Sequence, residues 1–560
     1  MTTYPLTARK GGQLSFDHGF SPRSSARDRI RPKFVLLLLG LLIALFARLA
    51  RAEQPAKPPD DSAAGAQQHF DVAEYRVLGN TVLANRSIET VLYPLLGPGK
   101  SLKDVEQARA QLEKLYHDQG YGTAFVDIPP QTIEGGIVRL RVTEGRVEKE
   151  RVAGARYSSE RDVIAKLPAA TPGNVLQLSK LQEELGAINA ETPDRSVVPV
   201  LKAGAEPGTV DLAFTVNDKL PLHGSLEFNN QNTIGTHELR GIASLAYDDL
   251  WGVRDSLSLQ YQFTPQQFDQ VRVIAANYQF HTFENGLQPS FTYVNSNSTV
   301  PTVGTLGVLG IGEIYSTRLG YELFKSQNTL QSISLGVDYK HFRNTINVDA
   351  TSALSTPISY LNLSAAYSGY WHYEGATTTF SVSADAGPRG LVNNSTAFAN
   401  DRYKGRANYF YVRADWSTVF RLPADFSLRL RAAGQAAAEP LITNEDFSIA
   451  GVDGVRGYLE AEELADKAIK GTVQLNSPGW HWHNHRLVDG YLFYDVGRGA
   501  LIDPLPGEPS GETLRSWGAG LDLLPGEKLI GILTWAKPLD DASVTRADSA
   551  RWLFVVRGSF

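Results

Sequence analysis

The sequence predicts a mainly β chain: a C-terminal transmembrane β-barrel preceded by two small α+β domains. Three observations carry this. From residue 218 onward, segments of about ten residues alternate apolar and polar side chains, and no helical period returns. Residues 70–145 and 146–217 repeat one order of elements, strand–helix–helix–strand–strand. The chain opens on a basic, then apolar, then small-residue stretch with the form of a secretory signal.

Composition narrows the class. The 560 residues include no cysteine and one methionine, so disulfides and thiolate metal sites are excluded. A mean hydropathy of −0.21 excludes a helical membrane bundle. It allows a barrel, because only alternate residues of its strands need be apolar.

Residues 1–52 are read as a signal peptide. Arg23, Arg27, Arg29, Arg31 and Lys33 precede the 14-residue run Phe34–Ala47, and Ala50-Arg51-Ala52 is a small-residue cleavage site. The run is short for a span, which needs about 20 residues; an uncleaved anchor is the alternative. This segment holds nine of the 54 basic and two of the 60 acidic residues, so residues 53–560 carry a net charge of −13. That balance excludes the basic surface of a nucleic-acid binder.

Residues 53–69, opening EQPAKPPDDSAAGAQQ, have no apolar period and read as a linker. In 70–145, FDVAEYRVLGNTVL is a strand ending in a Gly-Asn turn and SIETVLYPLLG a short helix. Leu102, Val105, Ala108, Leu112 and Leu115 then fall on one helical face, with Ser101 as N-cap and Gly120 as stop. TAFVDI and GIVRLRV complete a sheet with helices on one face. Residues 146–217 repeat that order more loosely, through RVEKERVAG, SSERDVIAKL, LSKLQEELGAINA, SVVPVLKAG and TVDLAFTV. Neither unit has a paired acid and base or a phosphate loop, so both read as binding modules.

In 218–560, SLSLQYQF places Leu257, Leu259, Tyr261 and Phe263 on one face and Ser256, Ser258, Gln260 and Gln262 on the other. A soluble sandwich with one wet side shares such alternation. Some 340 residues of it after a signal, with aromatics at segment ends, favour a closed outer-membrane barrel of about 14 to 18 strands. RWLFVVRGSF is the closing strand, ending on Phe560. Counted back from it, PGEK and SPGWHWHNHR are periplasmic turns, and the connection from Pro440 to Asp466 is a long outer loop.

Several residues have bland readings. His481, His483 and His485 in HWHNH are read as solvated, not as a metal site. Glu460, Glu462 and Glu463 are read as loop surface. The glycines at 304, 307, 310 and 312 miss both phosphate-loop patterns, and no nucleophile elbow is present. The chain is therefore expected to be no enzyme and to need no cofactor or metal.

Five stretches carry a resemblance in order over 70–560. VLGNTVL with LYHDQGYGTAFVDIPPQTIEGGIVRLRVTEG resembles a POTRA domain of ShlB type, and NAETPDRSVVPVLKAGAEPGTVDLAFTVND resembles the second POTRA domain of such chains. EDFSIAGVDGVRGY and YLFYDVG resemble the two barrel motifs of the TpsB transporters of two-partner secretion, within the BamA-like superfamily. The resemblance implies two periplasmic POTRA domains and a 16-stranded barrel in the outer membrane. It implies secretion of a large exoprotein of adhesin or cytolysin type, with activation of that partner as a further capacity.

Partners implied are the unfolded exoprotein, outer-membrane lipid and the barrel-assembly machinery during biogenesis, with no nucleic acid. The client would meet the POTRA region 70–217, whose contact residues are not singled out. The loop near 440–466, carrying Val455, Arg456, Gly457 and Tyr458, would fold into the lumen, where Arg456 pairs with Asp495. Alternation puts Leu492, Tyr494 and Val496 toward lipid and Phe493 and Asp495 inside. Two departures stand out: Ala450 occupies the place of a usual glycine, and 53–68 offers no amphipathic plug helix. A barrel-assembly factor of the same superfamily is the alternative function; a passive porin would not need the periplasmic modules.

Overall fold

The computed structural model describes residues 69–560 except 284, 299, 304, 305, 309, 348–352, 483, 484, 525 and 527. The expected signal peptide, and the linker up to residue 68, lie outside the described residues.

The first α+β unit comprises β1 (Phe70–Val72), β2 (Glu74–Leu78), α1 (Asn85–Leu92), β3 (Gly97–Lys100), α2 (Leu102–Asp118), β4 (Phe125–Asp127) and β5 (Ile137–Thr143). Helix α2 begins where Asp104 accepts from the Ser101 backbone N–H (2.8 Å) and hydroxyl (2.7 Å). Its Val105, Ala108, Leu112 and Tyr116 are buried against Val126, Val138 and Leu140 of the sheet β2–β5–β4. Burying that stripe is what holds the helix, since propensity alone leaves short helices marginal.

The second unit has β6 (Arg146–Ala153), α3 (Glu160–Ala165), α4 (Leu178–Asn189), β7 (Arg195–Ala203) and β8 (Thr209–Asp218). Its sheet runs β6–β8–β7, with the last strand central, parallel to the first and antiparallel to the third. The first unit places β5 in the same way between β2 and β4, so the sequence repeat is a structural repeat. The units join where Leu178 N–H donates to Gly120 O (2.7 Å) and Leu176 N–H to Gly145 O (2.9 Å).

Asp218 closes the second unit. Burial pushes its carboxyl up, but the backbone N–H groups of Ser158, Tyr157 and Arg156 donate to it and hold it below the usual carboxylate range. The depressed folded value means that this stabilisation is present above the ordinary value of 3.8 and is lost as pH falls through the folded one. Asp218→Ala is expected to cost about 1–3 kcal/mol at neutral pH. Faster amide exchange at residues 156–158 of the full chain is the check.

The barrel opens with β9 (Leu222–Asn229), β10 (Arg240–Leu250), β11 (Asp255–Phe263), β12 (Arg272–Gln279) and β13 (Leu287–Ser296). A small hairpin, β14 (Val300–Val303) with β15 (Leu306–Val308), fills the next connection. Strands β16 (Gly312–Lys325), β17 (Thr329–Asn347), β18 (Ala353–Tyr373) and β19 (Ala376–Ala386) come next. After α5 (Ser395–Asp401) come β20 (Phe410–Arg421) and β21 (Ser427–Ala437). The long loop contains β22 (Phe447–Ser448) paired with β23 (Leu464–Ala465). The circuit ends with β24 (Lys467–Asn476), the short β25 (Trp480–Trp482), β26 (His485–Ala500), β27 (Gly511–Leu523), β28 (Leu529–Pro538) and β29 (Arg551–Ser559). Without β25, which only extends a turn, these are 16 spanning antiparallel strands.

β29 closes on β9 over Val555↔Asn229 to Ser559↔Ser225, and Phe560 N–H donates to Gly224 O (3.0 Å). The connections at the end where the α+β units attach run from 374–375 to 477–484, whereas those at the other end reach 387–409 and 438–466. Short turns on one rim and long loops on the other give the expected orientation.

Polarity is inverted relative to a soluble fold. Leu259, Leu335, Ile469, Leu492 and Trp552 face outward and exposed, while Gln262, Asp338, Asn362, Gln474 and Ser516 are buried inside. At about 25 cal/mol per Å², such an apolar wall is untenable in water and is satisfied by lipid. Among the described residues, no helix is long and apolar enough to cross a membrane; the strands do so.

Candidate functional site: the lumen loop and its wall

The connection 438–466 turns inward instead of outward. Its apolar residues Phe447, Ile449, Ala450, Val455 and Tyr458 are buried together with Ala433 and Leu514 of the wall. An external loop rich in such residues must cover them, and the lumen is where they go. The tip is a tight turn: Gly454 N–H donates to Gly451 O (3.0 Å) and Val455 N–H to Ile449 O (2.9 Å). Gly451 takes the positive φ of 99° there, so Ala450 fits without strain and is 3% exposed.

Arg456 lies in this tip. Its Nε and Nη2 reach the two Asp495 carboxylate oxygens at 2.8 and 2.9 Å, and its Nη1 reaches Gln474 Oε1 at 2.9 Å. The guanidinium carbon stands 3.4 Å from the Phe493 ring centroid. A two-toothed fork over an aromatic face is a geometry that lysine cannot reproduce. Asp495 is fully buried and the Arg456 side chain 11% exposed, so the pair is drier than a water-filled lumen would make it. Gly497 and Gly499, on the same inward face of β26, let the loop approach: a Cβ at Gly497 would stand 2.9 Å from Val455 Cγ2.

The rest of the motif is held as firmly. Gly457 has φ of 98° and packs on Pro538. Tyr458 Oη donates to Asp540 O (2.8 Å) and accepts from Asp540 N–H (3.2 Å), which ties the loop to the last external connection.

The structure corrects one reading of the sequence. Glu460 and Glu462 are not loop surface: they are 5% and 6% exposed, and Glu463 is half-buried. Glu460 accepts from Val452 N–H (2.7 Å). Glu462 accepts from the N–H groups of Leu459 (2.8 Å), Val544 (2.9 Å) and Thr545 (2.5 Å) and from the Thr545 hydroxyl (2.6 Å). Glu462→Ala is expected to leave Val544 and Thr545 under-paired at about 1–3 kcal/mol. Amide exchange at those two residues should rise about tenfold or more.

Sequence reasoning also missed the base of the loop. Glu445 is buried and accepts from Lys340 Nζ (2.6 Å), Tyr411 Oη (2.7 Å) and Tyr360 Oη. Asp466, fully buried, accepts from the N–H groups of Leu441 and Ile502 (2.6 Å each) and pairs with Arg402 (3.1 Å). Helix α5 adds Phe398 to the same outer cluster with Tyr360 and Tyr409. No local pattern announces these carboxylates, whose cations Lys340 and Arg402 lie elsewhere in the chain. Of HWHNH, His481 is exposed and His483 lies outside the described residues.

Comparison with known proteins places this architecture. Residues 208–523, more than half of the chain, match the family "Haemolysin secretion/activation protein ShlB/FhaC/HecB", and 70–145 match "POTRA domain, ShlB-type". The chain is 22% identical over 425 residues to the outer membrane transporter CdiB of Dickeya dadantii strain 3937, covering 73% of each. It is 22% identical over 505 residues, 87% of each, to the heme/hemopexin transporter protein HuxB of Haemophilus influenzae strain Rd. CdiB from Escherichia coli shares the fold at TM-score 0.55 and 18% identity, over 94% of this chain and 97% of that one. BamA from Haemophilus ducreyi shares it at 0.57 and 14%, over 88% and 100%. This outer-membrane protein, with its POTRA region in the periplasm, is a transporter that secretes a partner protein, and it belongs to the haemolysin secretion/activation protein family ShlB/FhaC/HecB.

Proposed function

We propose that the chain captures one unfolded exoprotein at residues 70–217 and passes it through the barrel as the loop carrying Val455, Arg456, Gly457 and Tyr458 gives way. The observation that carries this is the loop itself: it is buried against residues of the barrel wall yet fastened by polar contacts that can be exchanged. Asp495 and Phe493 are the wall partners of that latch. The exposed edges of the two α+β sheets suit pairing with an extended client, and folding of the client outside makes exit irreversible. The chain itself performs no catalysis. The client is of adhesin or cytolysin type, and the barrel reaches lipid through the cell's barrel-assembly machinery.

Deleting this chain tests the reading. Its partner exoprotein should stay in the periplasm while other outer-membrane barrels assemble normally. Normal secretion together with failed assembly of other barrels would make it an assembly factor instead.

A further inference from the structure

A second polar cluster lies far from the loop, where the second α+β unit meets the barrel. Asp194 lies in the connection between α4 and β7, His223 is the second residue of β9, and Asp248 is near the end of β10. One ligand atom from each lies within 4.8 Å of the other two. His223 Nε2 is 2.8 Å from Asp194 Oδ2 and 3.7 Å from Asp248 Oδ2.

Two features set this cluster apart from an ordinary surface triad. Neither carboxylate has a Lys or Arg partner among the described residues, although Glu191 beside them is paired with Lys166, Arg195 and Arg254. Asp248 Oδ1 is also buried without a hydrogen-bond partner. Two carboxylates and one imidazole, brought together from three separate segments, therefore converge with nothing but the imidazole to balance them. Zinc-class ions take imidazole nitrogen at about 2.0–2.1 Å and carboxylate oxygen at about 2.0–2.2 Å. Tetrahedral ligand atoms on such bonds stand roughly 3.4 Å apart; the 3.7 Å separation from Asp248 is close to that, and the 2.8 Å separation from Asp194, spanned here by a hydrogen bond, must widen to reach it.

We propose that Asp194, His223 and Asp248 bind one divalent transition-metal ion, which clamps the second α+β unit to the barrel wall. Three protein ligands leave the fourth position for water, as in an open zinc site. The clamp bridges the part of the chain assigned to client capture and the part that crosses the membrane. Its chemistry does not depend on how the client is recognised.

The test is titration of the metal-stripped full-length protein, in detergent, with Co²⁺, monitored by visible absorption and competition with Zn²⁺. One equivalent should bind with the intense visible bands of a tetrahedral site. His223→Gln should weaken binding by more than the roughly 10–100-fold that loss of an outer partner costs, and Asp194→Asn should do likewise if the first variant fails to fold. His481→Ala should change nothing. Absence of saturable binding, unchanged binding in both ligand variants, or loss of binding only in His481→Ala would each overturn the proposal.

Discussion

Arg456→Ala is expected to unfasten the lumen loop, exposing residues 449–458 to protease and altering secretion of the partner, while leaving the barrel folded and heat-modifiable. The substitution strands Asp495, which is fully buried. Removing one member of a buried ion pair costs about 3–5 kcal/mol, and here two charge-assisted bonds, the bond to Gln474 and the stacking on Phe493 go together. The cost falls on the docked position of the loop, because the inter-strand ladder of β24, β26 and β27 does not involve it. Arg456→Lys should restore little, since an ammonium cannot fork. The double variant Arg456→Ala/Asp495→Ala should be less perturbed than the sum of the singles, because no charge is then left unpaired. Secretion assays and protease accessibility of residues 449–458 in the same cells give both readouts.

Glu445→Ala is expected to be comparably severe, by a different route. Lys340, with its side chain 8% exposed, would lose its buried carboxylate, and Tyr360 and Tyr411 would lose their acceptor. Stranding a buried cation again costs about 3–5 kcal/mol. The loss lands at the outer end of the lumen, where the loop leaves the wall. Glu445→Gln, which keeps an acceptor oxygen but not the charge, should recover part of it. Thermal unfolding of the purified barrel and amide exchange over residues 441–448 measure the effect.

The two predictions differ in how visible their residues were. Arg456 and Asp495 stand in motifs whose order and spacing the sequence displays, and the alternation of β26 alone places Phe493 and Asp495 on one face. Strands were legible because each meets lipid on one side and polar surface on the other, as Leu259 and Gln262 do. Glu445 was not legible: its cation lies 105 residues away on β17, and no local period connects them. Glu460 and Glu462 misled for a related reason. Three carboxylates in a glycine-containing loop look solvated, and only the fold shows that backbone N–H groups of the turn at 452 and of residues 544–545 surround them. The departure at Ala450 brings no backbone strain, because Gly451, not residue 450, takes the left-handed backbone.

The claim that the loop must leave its docked position for the partner to pass is tested by fastening it there. The chain has no cysteine, so a designed pair has no competitor. A Cβ at Gly497 would stand 3.2 Å from Ile449 Cβ, near the approximately 3.5–4.5 Å of a disulfide. Ile449→Cys with Gly497→Cys should therefore crosslink loop to wall under oxidising conditions. The latch predicts that secretion stops when the crosslink is complete and returns on reduction to the level that Gly497→Cys alone supports, since its Cβ would crowd Val455 Cγ2 at 2.9 Å. Undiminished secretion through a fully crosslinked barrel would contradict it.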